Sequence, residues 1–576
     1  MATELDSRAR GALALIGALA GLSLWGLVEL MEQNLLAERL AFALTCLAVT
    51  FFTALLALTG PLTLRRALPF AFGLGLLLAV LMALASLRFD TVEGLFDSPI
   101  PVLAGLVLVF VPLPFCIAAS HLGWRDYPLL FSEAWTIVIR FAASWLFVGL
   151  VWLLIWLSDT LLTIVGITLI ADLVQQPLVS MVLTGATLGL AMAVVQEMAE
   201  VVGPDLVLRL LRLLLPAVLL VLAVFLVMLP VRGLDNLFGQ LSAATILLTM
   251  AATGATLVTA ALDQSAAEAT RSPVVRRAAQ IMAALILAPA ALGAWAVWLR
   301  VAQHGWTPDR VFAVQVAALG LGYGLLYLLA VLRGAGWEER VRQANITMAL
   351  ALIALAALVL TPVLNPERIA AQSQLARFDR GAVPAAQLDV AALEDWGRAG
   401  ETVLAHLRER ATHPGQEALA TALASRAEGG LPDADALRTA LVAVLPVIPP
   451  DAAATRDALL NGVEADQLSV WLESCRILLP DSDKPGCALV VADLWPDLPG
   501  EEAIMVEQGR SGWINAQGLA LRDGQVIRPQ SFRLNSPDMG WDAGLLEDLQ
   551  SGGAPVLTPL RLNRLQLGGQ EIILIP

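Results

Sequence analysis

From residue 11 to residue 363 the chain keeps returning to unbroken apolar blocks, and nothing else in it restricts the fold as much. About twenty such residues, wound as an α-helix, match roughly 30 Å of hydrocarbon. Lipid offers backbone N–H and C=O groups no partners, so blocks of this length are expected to be helices. Eleven can be delimited: 11–30, 36–58, 67–87, 99–119, 135–157, 178–196, 206–229, 243–262, 275–299, 311–332 and 346–363. A twelfth apolar stretch, 161–173, is too short to span and is flanked by Asp159 and Asp172. It reads as an interfacial or re-entrant helix, or as an extension of the fifth span. The first block is long enough to span and no small-residue cleavage site follows it, so a retained anchor is expected rather than a cleaved signal.

The balance of charge divides the chain. Only 15% of residues are charged and mean hydropathy is +0.73, whereas soluble domains carry about a quarter charged residues. The net charge is −14, and residues 363–576 hold 17 basic and 29 acidic side chains, so nearly all of the acidity lies in the tail. An acidic tail is a poor ligand for nucleic acid or anionic headgroups. All but one of the 36 basic residues are arginine, the exception being Lys484. With the N-terminus inside, thirteen loop arginines fall on the inner side, among them Arg8, Arg10, Arg65, Arg66 and Arg340. Five fall outside: Arg39, Arg88, Arg232, Arg300 and Arg310. The positive-inside bias then sets the orientation, and an odd number of spans puts the tail outside, in the periplasm if the membrane is bacterial.

The expected fold is an all-α polytopic bundle over residues 1–363, followed by a soluble α+β domain. Residues 364–465 show helical periodicity in short segments (366–380, 388–398, 402–412, 416–427, 434–444 and 452–463). Residues 466–576 change texture, with strand-like runs at 487–494, 502–507, 512–516, 525–528, 560–567 and 571–575 separated by Gly, Pro, Asn and Asp. A small, mostly antiparallel sheet is expected there.

Ionisable residues in or near spans are the strongest functional pointers in a membrane sequence. Arg140 sits inside the fifth span, with Glu133 two turns earlier and Asp159 at the far end. Glu197, Glu200 and Asp205 gather between the sixth and seventh spans, directly before Arg209 and Arg212. Arg140, Asp159, Glu197, Arg209 and Arg212 could form a polar path; the alternative is snorkelling and helix pinning at the membrane edges. Cys475 and Cys487 could close a loop as a disulfide in an oxidising compartment, or be two unrelated thiols. Cys46 and Cys116 lie in spans and read as apolar fillers. Small residues at four-residue spacing, Gly17 with Gly21, Gly185 with Gly189 and Gly320 with Gly324, permit close helix approach. His121, His304, His406 and His413 stand apart, and no zinc-protease, phosphate-loop or nucleophile-elbow motif occurs. Residues 493–502 are acidic, but Trp495 and Leu498 occupy positions where a calcium loop needs oxygen and glycine. No metal or cofactor is expected.

Two polar motifs stand at span edges. One is Gly305-Trp306-Thr307-Pro308-Asp309-Arg310-Val311-Phe312-Ala313, and the other runs from Leu364-Asn365-Pro366-Glu367 to Gln372-Ser373-Gln374-Leu375. Thr307 and Asn365 suit helix N-caps, each with Pro next and an acid in the first turn. With the Arg140-bearing span, these motifs resemble the bacterial multi-pass membrane family catalogued as domain of unknown function 4153. The resemblance covers most of residues 1–400 and implies a bacterial cytoplasmic-membrane protein, with no activity or catalytic residue to carry over. Beyond the bilayer itself, the expected partner is a periplasmic protein bound by the tail, making the chain a structural, sensory or assembly component. The rival reading is a transporter or channel for an ion or small polar solute.

Overall fold

The computed structural model describes all residues except 1, 34, 122, 165, 199–203, 233–242, 266–267, 271, 428–433, 480–483, 496–501, 509–513, 523–524, 528–543, 552–563, 568–569 and 574–576. Two compact units emerge, Met1–His413 and Pro414–Pro576. Among the described residues of the first, eleven helical stretches are long and apolar enough to span a membrane.

The first unit begins with α1 (Ala2–Glu32), α2 (Glu38–Leu58) and α3 (Leu64–Ser86). The fourth span is broken into α4 (Ile100–Phe110) and α5 (Pro112–Ala119). Pro112 accounts for the break, because it has no N–H and its ring clashes with the carbonyl four residues back. The fifth span is α6 (Tyr127–Ile164), 38 residues long. At 1.5 Å per residue it reaches about 57 Å, well beyond the roughly 30 Å of hydrocarbon. The ambiguous stretch 161–173 thus divides: its start extends α6, Gly166 turns the chain at φ +80°, and α7 (Leu169–Val174) takes the rest. The spans continue as α8 (Pro177–Glu197), α9 (Asp205–Arg232) and α10 (Ala243–Leu262). Next come α11 (Pro273–Leu285) with α12 (Leu287–His304), broken four residues before Pro289, then α13 (Pro308–Leu332) and α14 (Trp337–Val359).

Small residues decide which spans touch. Gly17 and Gly21 of α1 face Gly185 and Gly189 of α8 so closely that the backbones meet. A Cβ on Gly17 would stand 1.9 Å from the Gly185 carbonyl oxygen, and one on Gly189 would stand 2.1 Å from that of Leu13. Gly324 lies against the Leu287 backbone in the same way, whereas Gly320 makes only ordinary contacts. Two large apolar cores mark two halves. One core joins α1, α2, α3, α5, α6 and α8 through Leu55, Leu113, Ile137 and Met192. The other joins α9 to α14 through Leu215, Val258, Met282, Tyr327 and Val341. Smaller cores join the halves, Leu78 and Leu108 meeting Ala356 and Val359 in one and Tyr127 and Phe131 meeting Leu208, Ala260 and Ile346 in another.

The C-termini of α10, α13 and α14 are closed by arginines. The last carbonyls of a helix lack internal partners and carry the negative end of its dipole, which a guanidinium with five donors can satisfy. Arg88 donates to the Val359 and Thr361 oxygens at 2.6 and 2.8 Å, ending α14. Arg340 donates to Gly334 and Ala335 after α13. Arg342 reaches Leu262 and Arg212 reaches Ala260, together closing α10.

Three helices expected in the separate tail belong to the first unit: α15 (Pro366–Asp379), α16 (Val390–Asp395) and α17 (Gly397–Ala411). The division between the two compact units falls after His413. The reason is a set of contacts with the bundle's loops. Arg88 pairs with Glu367 at 3.2 Å, and Arg398 pairs with Asp90 and donates its backbone N–H to Arg88. The two edge motifs also meet each other. The Trp306 N–H donates to Ser373 Oγ, and the Gln374 amide donates to the His304 and Trp306 oxygens. Thr307 and Asn365 are N-caps, accepting from the N–H groups of Arg310 and Arg368. Loops 87–99 and 303–307 thus share one face of the bundle with the chain that leaves α14.

The second unit holds α18 (Glu417–Ala427), α19 (Ala434–Val444), β1 (Val447–Ile448), α20 (Ala453–Asn461) and α21 (Ala465–Arg476). They precede β2 (Cys487–Ala492), β3 (Glu502–Gln508), β4 (Ile514–Arg522) and β5 (Gln525–Ile527). After these come α22 (Gly544–Gln550) and the hairpin β6 (Arg564–Leu567) and β7 (Gln570–Ile573). The five-stranded sheet runs β1-β2-β3-β4-β5, parallel at β1–β2 and antiparallel elsewhere. Both faces are covered, as the period-2 alternation of a strand allows. Leu489, Val491, Met505 and Leu519 meet Leu468, Trp471 and Leu472 of α21, while Ala488, Val506 and Ile514 meet Leu546 of α22. Cys475 and Cys487 are joined as a disulfide that ties α21 to β2 inside the first of these cores.

Candidate functional site

The five ionisable residues singled out in the sequence do not converge. Arg140 is 4% exposed, donates to Gln196 Oε1 at 3.3 Å, and leaves its Nε without a partner. Glu133 has a buried Oε2 that is likewise unpartnered. Glu197 pairs with Arg10 of α1 rather than with the arginines that follow it in sequence. Arg212 pairs with Asp263, just past α10, and Arg209 is exposed one turn earlier on α9. Asp159 lies nineteen residues beyond Arg140 on the same helix, about 28 Å at helical rise. Glu200 lies outside the described residues. Arg140 thus reaches the end of α8 beside Glu197, Arg212 fastens α9 to the end of α10, and the buried Asp159 Oδ1 has no partner among the described residues.

The acidic stretch before β3 is structural where it is described. Glu502, 1% exposed, accepts the N–H groups of Leu494 and Trp495 and pairs with Arg522 at 2.5 Å. Both carboxylate oxygens are engaged by the protein itself.

A different constellation forms between the halves of the bundle. The start of α6, the α4–α5 break, α10, α13 and α14 surround a cavity of about 570 Å³. Phe110, Phe115, Leu130, Phe131 and Trp135 supply an apolar wall. Among the described residues, no Asp, Glu, Lys, Arg or His lines it. Val138 of α6 and Ala252 and Thr256 of α10 line it and are themselves exposed, so the cavity is open and not sealed.

One end of the cavity is polar. The chain has three tyrosines, and all of them gather here. Tyr327 Oη donates to Asn345 Oδ1 at 2.5 Å and lies 3.1 Å from Thr259 Oγ1. Asn345 Nδ2 donates to Tyr127 Oη at 3.0 Å and to Thr259 Oγ1 at 3.4 Å. Tyr323 stands edge-on to Tyr327, ring centroids 5.7 Å apart, and its hydroxyl has no hydrogen-bond partner among the described residues. Tyr127, Tyr323, Thr259 and Asn345 all line the cavity. Four helices thus contribute one hydrogen-bonding side chain or more each to an uncharged cluster at the end of an apolar chamber. Its volume falls within the range of small-molecule sites, which combine apolar walls with a few convergent polar groups.

Sequence reasoning missed this cluster. Its expected spans began at residues 135 and 346, but the helices begin at Tyr127 and Trp337, so Tyr127 and Asn345 seemed to be loop residues. The signal that could have found it was scarcity: three tyrosines in 576 residues, two of them one turn apart in one span.

No family model matches the chain, and no curated protein or solved structure matches it either.

Proposed function

We propose that this multi-pass membrane protein is a binding component rather than an ion path or an enzyme. It holds a bilayer-soluble molecule between the halves of its bundle. The observation that carries this reading is the open cavity with an uncharged polar end. Ion pathways are lined by charged side chains or by rings of backbone carbonyls, and the described lining of this cavity is mostly apolar side chain with no Asp, Glu, Lys, Arg or His. Its apolar wall suits an occupant drawn from the hydrocarbon. The same reading keeps the protein in a bacterial cytoplasmic membrane within the family resembled above. The N-terminus is then cytoplasmic, and the second unit is a folded periplasmic surface for a protein partner, which gives the chain a sensory or assembly role.

Ala252 is an exposed lining residue, so Ala252→Trp should fill the chamber without burying new strain. Full-length protein purified into lipid nanodiscs should carry a retained apolar molecule that Ala252→Trp excludes, read by mass spectrometry of the extracted complex. Identical extracts from both proteins would refute the reading.

A further inference from the structure

The proton balance of the polar cluster specifies the kind of molecule the cavity takes, an inference that rests on the binding reading above. Each phenol has a single proton to donate. That of Tyr327 goes to Asn345 Oδ1. With the amide assigned this way, Oδ1 accepts from Tyr327 and Nδ2 donates to Tyr127 at 3.0 Å, an ordinary N–H···O length. Both amide protons of Asn345 are then engaged, on Tyr127 and Thr259. Thr259 has its own backbone acceptor, the Ala255 oxygen, and Thr256 has that of Ala252. Tyr127 Oη accepts from Asn345, and no acceptor for its proton is found among the described residues. The Tyr323 hydroxyl donates to nothing there either. Both residues line the cavity.

The described wall therefore offers two unmatched donors and no charged side chain. A carboxylate ligand would lose its water with no cation in the described lining to receive it, and an ammonium would lose its water with only neutral hydroxyl oxygens and no carboxylate to receive it. We infer that the occupant is a neutral, bilayer-soluble molecule bearing carbonyl oxygen, which takes hydrogen bonds from Tyr127 and Tyr323 while its apolar body fills the chamber beside Phe131 and Trp135. Two sources supply that chemistry, an ester-linked glycerolipid and an isoprenoid quinone.

The test uses the full-length protein in nanodiscs and four probes: dioctanoylglycerol, decylubiquinone, dodecylbenzene as a carbonyl-free hydrocarbon, and dodecyltrimethylammonium as a charged one. At least one carbonyl probe should bind more tightly than the hydrocarbon, and the stronger of the two identifies the source. Its carbonyl infrared band should move to lower frequency on binding. The double variant Tyr127→Phe with Tyr323→Phe removes both donors and keeps both rings. It should weaken the carbonyl probe roughly ten- to a hundredfold, as two lost hydrogen bonds imply, abolish the band shift, and leave the hydrocarbon unaffected. Tyr323→Phe alone loses no internal hydrogen bond, so it should fold normally and give a smaller change in the same direction. Equal binding of carbonyl and hydrocarbon probes, preference for the cation, or an unshifted band would overturn the inference while leaving a binding cavity in place. Undiminished binding of every probe to Ala252→Trp would instead remove the cavity as the site.

Discussion

Replacing Gly17 by alanine and, separately, Gly26 by alanine adds the same methyl group at two points on α1. At Gly26 nothing lies within 4 Å of the new carbon, so the change should follow helix propensity. Alanine is favoured over glycine in a helix by about 1 kcal/mol. At Gly17 the new carbon would stand 1.9 Å from the Gly185 carbonyl oxygen, against the 3.4 Å at which ordinary contact begins. The obstacle is backbone, so α1 and α8 must move apart by the difference, about 1.5 Å. A gap of 0.5–1 Å already forfeits a quarter to a half of each dispersion contact along a seam, and overpacking of this kind costs about 1–3 kcal/mol. The propensity gain is common to both variants and cancels, so Gly17→Ala should be the less stable of the two by the packing cost, about 1–3 kcal/mol. Thermal unfolding in detergent, followed by size-exclusion chromatography of the remaining fold, would measure it. A Gly17→Ala protein as stable as Gly26→Ala would refute the claim that this seam is a backbone contact.

Other perturbations test separate parts of the molecule. Arg140→Ala should lower bundle stability by about 1–3 kcal/mol, because it deprives Gln196 of a buried partner; it should leave binding in the cavity unchanged, and loss of ion flux in vesicles would favour the transporter reading instead. Removing the Cys475–Cys487 link, which closes a span of 12 residues, should cost the second unit about 3 kcal/mol in urea unfolding; an unchanged midpoint would contradict this. Burial holds the Glu507 carboxyl above its ordinary 4.5, with hydrogen bonds from Ser474 and Asn515 opposing the shift only partly. A carboxyl raised in the folded state loses stability as pH climbs from the unfolded value through the folded one. Glu507→Gln should accordingly slow hydrogen exchange in β3 and β4 at neutral pH, with no difference below about pH 4; a larger effect in acid would reverse the sign and the argument.

The sequence was most legible where a single physical demand acts on many residues at once. Crossing hydrocarbon needs about twenty apolar positions, so the spans could be delimited one by one. Caps were legible because Thr307-Pro308-Asp309 and Asn365-Pro366-Glu367 follow a strict local order. Pairing was not legible. Glu197 stands near Arg209 and Arg212 in the chain, yet it meets Arg10, and Arg212 meets Asp263. Those partners are chosen by which helices lie side by side, a long-range property. The cavity was hidden for a related reason: the polar opening stretches of α6 and α14 interrupt the apolar pattern that marks a span, with Tyr127 at the start of α6 and Asn345 more than two turns into α14. In the second unit, α21 and α22 escaped notice because each buries only a narrow stripe on the sheet, and β1 is two residues long.

The arginine and tyrosine contacts also divide the two faces of the bundle mechanically. On the face that receives α15–α17, Arg88 and Arg398 bind the first half of the bundle to the chain emerging from the second. On the opposite face, the ion pairs found among the described residues stay within a half: Arg10 with Glu197 in one, Arg212 with Asp263 and Arg276 with Glu338 in the other. The hydrogen bond that crosses there runs from Asn345 to Tyr127, at the wall of the cavity. Tyr127, Leu130 and Phe131 also pack there on Leu208, Ala260 and Ile346, so this face is joined by apolar contact with one hydrogen bond exposed to the cavity, whereas the other carries arginine ties that water and salt can weaken.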